Sequence, residues 1–368
     1  MSGQENKTPL YAQIKAYLLA EIKAGRLAPG DRVPSEADLA RQFGVSRVTS
    51  KQAMTQLAQD GLIRRSPGAG SFVTEPPATQ APGNAIGIVL PLLTARHELE
   101  LLRGVEGEAS QYGYQLMIRQ SGGQQTQEAQ AIRDLVDARV GGLIIWPVHG
   151  TFYNTALLEL CVKGFPTVLV DRLLDGIPLS GVTSDNLEGG RLAVEQLLQW
   201  GHRHIGILSP PIDWASSVRD RVMGCGMALS AAGVPTPHDA WMTSLETDPD
   251  ENRAQIRSFL EENPKITAVV AVHEGIGAAA YQAARELGRR VPEDLSILSF
   301  DLPDQAAVDG KVFCHVSQQA EAIGRQAVQV LHQRIAEDDP TIRSVQVPVK
   351  WVSGSTCSVL SAGEAGKP

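Results

Sequence analysis

Apolar residues recur at helical spacing near the start of the chain, between residues 10 and 22. This pattern predicts a first helix that ends near Gly25, because a glycine adopts the left-handed conformation of a helix C-cap at little cost. A second helix is expected to begin after Ser35, which can cap it, with Asp38 completing a variant of the capping box. Gly44 is expected to end this short helix.

A third helix is predicted over residues 47–60, with Ser46 as its N-cap. Two short capped helices joined by a tight glycine turn form a helix-turn-helix. The next residues predict two strands, 62–65 and 71–74, joined by a turn that contains proline and glycine. This order of elements is that of a winged helix-turn-helix.

From residue 85 onward, short continuous apolar runs alternate with helical segments. Strands that are apolar on both faces need helices on both sides of the sheet, as in parallel α/β sheets. The predicted fold class is therefore α/β, with the N-terminal winged helix-turn-helix followed by a two-lobed body built on two Rossmann-like parallel sheets. The predicted strands are 86–90, 114–118, 142–146, 167–170, 205–208, 268–272 and 295–300, and the predicted helices are about 98–112, 125–138, 151–163, 188–200, 218–232, 277–287 and 319–336.

A proline-rich polar stretch over residues 76–84 is typical of a linker and separates a domain at 1–75 from one at 85–368. The whole chain of 368 residues has a net charge of −8, which disfavours a uniformly basic nucleic-acid binder. Residues 1–75 alone hold ten bases and seven acids, a net charge of +3, which leaves −11 for the remainder. This asymmetry indicates a small polyanion-binding domain joined to an acidic body.

Several function classes are disfavoured. The four cysteines form no C-x-x-C pair, so we expect neither a disulfide framework nor a cysteine-based metal site. No signal peptide or membrane span is recognisable, which favours the reducing cytoplasm and no membrane partner. The nucleotide, serine-hydrolase and metalloprotease motifs are absent, and His202 with His204 is better explained as a polar turn than as a metal site. We therefore expect no enzyme, no catalytic residue and no cofactor.

The start of the third helix carries the candidate DNA-reading residues. Arg47 is the strongest candidate for a base contact, since its guanidinium matches the two acceptors of guanine in the major groove. The helix N-termini and the hairpin are suited to phosphate or minor-groove contacts. The alternative is a helical protein-interaction module whose arginines are merely solvated. The candidate DNA-binding residues are Ser35, Glu36, Ser46, Arg47, Val48, Thr49, Lys51, Arg64, Arg65, Gly68 and Gly70.

The N-terminal domain resembles the DNA-binding domain of the GntR family along almost its whole length. The resemblance is carried by Leu10-Tyr-Ala-Gln-Ile14, Gly25-Arg-Leu-Ala-Pro-Gly-Asp-Arg-Val-Pro-Ser-Glu36, Phe43-Gly-Val-Ser-Arg47, Leu57-Ala-Gln-Asp-Gly-Leu-Ile63 and Gly68-Ala-Gly-Ser-Phe-Val73. Departures from that family at Ala37, Val48 and Ser50 leave the operator sequence unpredicted.

The body, over about residues 85–360, resembles the effector-binding domain of the LacI/GalR family, which has a periplasmic-binding-protein-like fold. The resemblance is carried by Val170-Asp-Arg172, Val182-Thr-Ser-Asp-Asn186, Gly189-Gly-Arg-Leu-Ala193, Gly201-His-Arg-His-Ile205, Ser216-Ser-Val-Arg-Asp-Arg221 and Val291-Pro-Glu-Asp-Leu-Ser-Ile-Leu-Ser-Phe-Asp301. The pairs His273-Glu274 and Cys314-His315 depart from that family's usual residues.

The LacI/GalR resemblance implies a ligand pocket in the cleft between the lobes, at the carboxyl ends of the strands. Polar groups there suit sugar hydroxyls, and a tryptophan can stack on an apolar sugar face. Two aspartates of the set could instead cap helices, and Trp146 could be a core residue. The candidate ligand-binding residues are Leu93, Thr94, Arg96, Trp146, Asp171, Arg172, Asn186, Trp214, Arg221, His273, Asp301 and Gln318.

Together these features predict a homodimeric transcription regulator, most readily a repressor, that binds a pseudo-palindromic double-stranded DNA operator. A small ligand, expected to be a sugar or sugar derivative, would control its affinity for DNA. The alternative is a solute-binding protein without a regulatory role.

Overall fold

A computed structural model describes residues 10–23, 26–28, 30–59, 62–66, 70–73, 84–150, 154–235, 240–246, 248–304, 308–337 and 339–360. The chain divides into two compact units, Met1–Ala81 and Pro82–Pro368. The predicted turn at residues 67–69, most of the predicted linker, and the expected helix end at Gly25 lie outside the described residues.

The first unit is a winged helix-turn-helix, as predicted. Its elements are α1 (Leu10–Lys23), α2 (Glu36–Phe43), α3 (Arg47–Gln59), β1 (Ile63–Ser66) and β2 (Gly70–Val73), and the two strands pair antiparallel. The apolar spacing seen in the sequence forms its core, in which Ile14, Leu39 and Leu57 are fully buried.

Local side-chain chemistry sets the ends of its second and third helices. The Ser35 hydroxyl accepts a hydrogen bond from the amide of Asp38, whose carboxylate accepts from the Ser35 amide, so the predicted capping box is confirmed. Gly44 ends α2 in the left-handed region with φ +62°. The amide of Thr49 donates to the Ser46 hydroxyl, which caps α3.

The second unit contains two six-stranded sheets, one in each lobe. The first lobe has the strand order β13-β7-β6-β5-β3-β4, and all its strands are parallel. The second lobe has the order β14-β12-β11-β10-β8-β9, in which only β14 is antiparallel to its neighbour. The strands are β3 (Ala85–Leu90), β4 (Gln115–Gln120), β5 (Leu143–Ile145), β6 (Thr167–Val170), β7 (Ser180–Ser184), β8 (Ile205–Leu208), β9 (Trp241–Met242), β10 (Ala268–Ala271), β11 (Ser296–Phe300), β12 (Cys314–Ser317), β13 (Ser344–Val347) and β14 (Lys350–Val352).

Helices cover the sheets as the buried strands require. They are α4 (Arg96–Gln111), α5 (Gln125–Asp137), α6 (Thr155–Lys163), α7 (Asn186–Gln199), α8 (Ser216–Ala231), α9 (Pro249–Glu262), α10 (Glu274–Glu286) and α11 (Ala320–Ala336).

The sequence-based assignment missed six elements, namely α9, β7, β9, β12, β13 and β14. The start of α9 had a usable signal, because Asp248 caps it and Pro249 occupies its first turn. Each missed strand has at most two consecutive apolar residues, and the fully buried β7, Ser180–Ser184, is mostly small and polar. Such short strands form because they pair with neighbouring strands in the folded protein, and sequence periodicity alone does not distinguish them from loops.

The chain crosses between the lobes three times: between β7 and α7, between β12 and α11, and between β13 and β14. As a result α11 packs on α4 and on strands of the first lobe, while α7 packs on α8 in the second lobe. Each lobe is thus closed by a helix that enters from the other one.

Each of these helix pairs approaches through glycines. A methyl group on Gly104 of α4 would overlap the carbonyl oxygen of Glu321 in α11, and one on Gly324 of α11 would overlap the Leu101 carbonyl of α4. The α7–α8 pair repeats the arrangement with Gly190 and Gly224. Because backbone meets backbone, these contacts cannot relax by a change of rotamer.

We expect Gly104→Ala to lower the free energy of unfolding of the second unit by at least about 2 kcal/mol, the cost of an overpacked contact. Gly107→Ala, on the same helix, is the matched control. Nothing lies within 4 Å of its added methyl group, so alanine should raise helix stability by about 0.5–1 kcal/mol. All five tryptophans lie in this unit, so their fluorescence during urea unfolding measures both variants. Equal stability of the two variants would contradict the close contact.

Candidate functional site

Two aspartates project into the cleft from the carboxyl ends of strands, one from each lobe. Asp171 directly follows β6 and Asp301 directly follows β11. Both have a left-handed backbone, with φ of 69° and 55°, which costs an L-residue about 1–2 kcal/mol. The described helices of this unit have other residues as N-caps. These two aspartates are therefore not helix caps.

Arg221, in α8, is 4% exposed and is the centre of a buried hydrogen-bond network. Its Nε donates to Asn186 Oδ1 at 2.8 Å, its Nη1 to the Val272 carbonyl at 2.7 Å and its Nη2 to Gln318 Oε1 at 2.5 Å. The guanidinium also lies 4.5 Å from the centre of the Phe300 ring. One hydrogen on each terminal nitrogen remains for a ligand.

Gln318 connects Arg221 to Asp301 and to the segments that cross between the lobes. Its amide and side-chain nitrogens donate to the two carboxylate oxygens of Asp301, at 3.0 and 2.5 Å. The Ser184 hydroxyl donates to the Gln318 carbonyl at 3.2 Å. Ser184 ends β7 and Gln318 lies between β12 and α11, so two of the three crossings share one hydrogen-bond network.

His97, in the first turn of α4, lies between the two aspartates. Its Nδ1 is 3.0 Å from Asp301 Oδ2 in the other lobe, and its Nε2 is 3.8 Å from Asp171 Oδ1. Arg172 pairs with the second oxygen of Asp171 at 3.0 Å. The ring meets Trp146 edge to face, with centroids 5.2 Å apart. The sequence prediction missed His97, although it directly follows the predicted Arg96.

The aspartates set the protonation of this histidine. Burial favours the neutral ring, but the charges of Asp301 and Asp171 outweigh it and raise the pKa of His97 to about 9. Burial would raise the pKa of Asp301 in turn, but the His97 charge and hydrogen bond hold it well below its usual range. At neutral pH both ring nitrogens of His97 therefore carry hydrogen.

Two buried N–H groups beside this network have no hydrogen-bond partner among the described residues. They are His97 Nε2 and Trp146 Nε1, and each side chain is only 7% exposed. Buried donors without partners are rare in native proteins, and each calls for an explanation such as a bound water, ion or ligand. Trp146 also belongs to the core of the first lobe, where it packs against the His97 ring.

The lobes also touch on a second side of this network. The His149 ring of the first lobe stacks on Trp214 of the second, with centroids 4.2 Å apart. The Leu173 amide donates to the Ser216 hydroxyl at 2.9 Å, and Arg219 pairs with Asp175 at 2.8 Å. The structure therefore shows the two lobes in contact, with the polar network between them.

The other predicted ligand-binding residues lie outside this hydrogen-bond network. Thr94 and Arg96 line an open cleft of about 1020 Å³ together with His97 and Asp301, and the Arg96 side chain pairs with Glu100. Leu93 packs against the core of the first lobe. The His273 ring accepts a hydrogen bond from the Gly275 amide at the start of α10 and is more than half exposed. The network thus contains Trp146, Asp171, Arg172, Asn186, Arg221, Asp301 and Gln318, joined by His97.

In the first unit, side chains at the start of α3 are exposed, and its bases have no acidic partner among the described residues. Arg47, Val48 and Lys51 are exposed, and within the described part of this unit no acidic side chain pairs with either base. The predicted Gly68 lies outside the described residues. Ser50, a departure from the family pattern, is buried and donates to the Glu36 carbonyl at 2.7 Å, which ties α3 to α2.

Other candidates for DNA contact already have partners. Arg65, on the hairpin, pairs with Glu36 at 3.0 Å, and Arg64 donates to Ser66. The Ser35 hydroxyl donates to the Asp38 carboxylate. The hydroxyls of Ser46 and Thr49 are hydrogen-bonded to each other. Gly70 has φ +111° and packs against Arg32. Phosphate binding by these side chains would have to compete with the contacts within the protein.

Among the described residues, no group of three or more potential metal ligands lies together. In the same part of the chain, no helix combines the length and apolar character that crossing a membrane requires.

Comparison with known proteins places both units in families. The family of periplasmic binding proteins and sugar binding domains of LacI type matches residues 83–354, and the gntR family of bacterial regulatory proteins matches residues 10–73. The chain is 26% identical over 343 residues to the arabinose metabolism transcriptional repressor of Geobacillus stearothermophilus, covering 91% of this chain and 93% of that one. It is 28% identical over 261 residues to the ribose operon repressor of Haemophilus influenzae, covering 71% and 77%.

The fold is also that of a solved LacI family transcriptional regulator from Enterococcus faecium with bound ribose. The TM-score is 0.64 at 23% identity, covering 75% of this chain and all of that one.

The raised pKa of His97, about 9 against an ordinary 6.5, predicts a dependence of stability on pH. The folded state binds this proton more tightly than the unfolded state, so the added stability is complete below about pH 6.5 and is lost as pH rises through about 9. We expect the free energy of unfolding to fall by up to about 3 kcal/mol over this range. In His97→Asn, whose side chain does not titrate, urea unfolding at each pH should show a much smaller fall. Parallel curves for the two proteins would contradict the assignment.

Proposed function

Because the chain belongs to the family of periplasmic binding proteins and LacI-type sugar-binding domains and carries a GntR-family domain at its N-terminus, we propose that it is a sequence-specific transcriptional repressor. Its affinity for DNA is controlled by a small ligand, a sugar or sugar derivative, that binds in the cleft between the lobes. The observation that carries this proposal is the presence in one chain of a winged helix-turn-helix with an unpaired basic helix start and a cleft with unpartnered buried donors.

The DNA-reading part is proposed to act through α3. Arg47, Val48 and Lys51 project from its first turns, where a recognition helix meets base edges in the major groove. The hairpin with Arg64 and Arg65 would contact the DNA backbone or the minor groove. Two such readers on a homodimer with two-fold symmetry would select a pseudo-palindromic operator.

The cleft is proposed to take a hydroxyl-rich ligand. The carboxylates of Asp171 and Asp301 accept hydrogen bonds, and Arg221 has free donor hydrogens, so both kinds of hydroxyl contact are available. A repressor named for arabinose metabolism and one named for the ribose operon are among its relatives.

Ligand and DNA affinity are proposed to be coupled through the position of the lobes. A ligand that contacts both lobes favours one arrangement of them. The segment at 76–84 is proposed to transmit this change in lobe arrangement to the N-terminal DNA-binding domain. Such coupling is reciprocal, so DNA that disfavours the liganded arrangement must weaken ligand binding by the same factor. We place this protein in the cytoplasm, with the domains bounded at residues 75 and 85, and assign it no catalytic activity.

Arg47→Ala tests the reader. We expect it to weaken binding to DNA selected from a random pool by about 10- to 100-fold, the value of a bidentate guanine contact. Arg26→Ala removes the same charge from a residue that pairs with Glu21, and it should change affinity by less than about threefold. Gel-shift titration over a series of salt concentrations measures both, and the wild-type affinity should fall steeply with salt.

Equal DNA affinity of the two variants would show that the recognition helix is assigned wrongly. A chain that binds a sugar but no DNA at any salt concentration would instead be a solute-binding protein.

A further inference from the structure

Two cysteines that are far apart in the sequence lie together in the second lobe. Cys314 is the first residue of β12, and Cys357 lies beyond β14, which pairs antiparallel with β12. Gly354 lies directly against the backbone of Cys314, because a methyl group on it would overlap the Cys314 nitrogen and the Val312 carbonyl oxygen. The chain that follows β14 therefore passes along the start of β12.

Hydrogen bonds hold both thiols in place. The Cys314 amide donates to the Thr356 hydroxyl at 2.9 Å, and the Gly354 amide donates to the Cys314 sulfur at 3.2 Å. The Thr356 hydroxyl and the Cys357 thiol both donate to the Ile297 carbonyl, at 2.7 and 3.2 Å. The two cysteine side chains are also within hydrogen-bond reach of each other. Both sulfurs thus belong to one hydrogen-bonded cluster.

The two thiols differ in protonation. The Cys357 thiol and the Gly354 amide donate to the Cys314 sulfur and, against the effect of burial, lower the pKa of Cys314 to about 6. Burial raises the pKa of Cys357 well above its usual range, and the Cys314 sulfur raises it further. At neutral pH the pair therefore holds a thiolate at Cys314 and a thiol at Cys357. The thiolate is the form of cysteine that reacts with oxidants.

The pair can be reached from the side of Cys357. Cys314 is fully buried, whereas Cys357 is half-buried. Hydrogen peroxide is close to water in size, so a small local opening beside Cys357 admits it. Cys225, in α8, is a contrasting case, since it is fully buried and burial raises its pKa to about 12. A buried cysteine of that kind is inert.

We propose that Cys314 and Cys357 form a redox modification site, which hydrogen peroxide converts reversibly into a disulfide. The Cys314 sulfur attacks one peroxide oxygen, so that an S–O bond forms, the O–O bond breaks and the leaving hydroxide takes a proton from solvent. The Cys357 sulfur then attacks the Cys314 sulfenic acid. An S–S bond forms, the S–O bond breaks, and the hydroxide leaves as a second water with the Cys357 proton. The thiols lose the two electrons that reduce the peroxide, and a thiol reductant reverses the reaction by exchange.

This site is separate from the network between the lobes. Cys314 is at the amino end of β12, whereas Gln318 follows its carboxyl end. The disulfide would join β12 to the chain beyond β14 and close a loop that contains α11 and β13. In a reducing compartment, bonds of this kind are transient and report oxidation.

The experiment is mass spectrometry of tryptic peptides from the full chain. Trypsin cuts between the two cysteines, which places Cys314 in the peptide 312–325 and Cys357 in the peptide 351–368. Reduced protein is treated with hydrogen peroxide, and the remaining thiols are blocked with N-ethylmaleimide before digestion. We expect these two peptides, joined to each other, to be the predominant cysteine link, and we expect this link to be lost after treatment with dithiothreitol.

Substitutions identify the role of each thiol. Cys357→Ser should abolish the link and leave Cys314 as a sulfenic acid that dimedone traps, because the second thiol is missing. Cys225→Ser, in the same lobe, and Cys161→Ser, on α6 of the first lobe, are matched controls and should keep the link.

Three results would overturn the proposal. They are a folded wild type that forms no link between Cys314 and Cys357, links to Cys161 or Cys225 that form as readily, and loss of the link in Cys225→Ser. The decisive product is measured in the wild type, so the outcome does not depend on the folding of a variant.

Discussion

One buried ion pair, between His97 of the first lobe and Asp301 of the second, connects the functional parts of the body. Asp301 also accepts from Gln318, and Gln318 in turn accepts from Arg221. Taking such charges out of water is costly unless hydrogen bonds satisfy the remaining atoms. Because the network does so, a change at one member alters the environment of the others, and the cleft acts as one unit.

The lobes around this network are closely packed, and three chain segments connect them. Helix pairs in contact through glycine backbone close each lobe, as with Gly104 against α11 and Gly190 against α8. Three short crossings join the lobes, and Ser184 and Gln318 place two of them in the polar network. Stiff bodies joined by short segments move by hinge rotation, so a ligand held between the lobes can shift their arrangement without disturbing either core.

The two units differ in net charge and in the exposure of their candidate functional residues. The reader has a net charge of +3 over residues 1–75, and Arg47 and Lys51 are exposed on its third helix. The body carries the acidic excess, and most of the polar groups of its network are buried and paired between the two lobes. Positive charge that can attract phosphate is thus concentrated in the N-terminal unit.

The sequence by itself determined the winged helix-turn-helix, the parallel sheets and the position of Asp171 and Asp301, because periodicity, caps and strand ends are local features of the chain. It also placed Asn186, Arg221 and Gln318 in the cleft through family resemblance. Only the tertiary structure placed His97 between Asp171 and Asp301, since Asp301 is distant in the chain and a lone histidine in the sequence does not specify a contact. It likewise decided the strands of small polar residues such as β7, because pairing with neighbours, rather than local propensity, stabilises them.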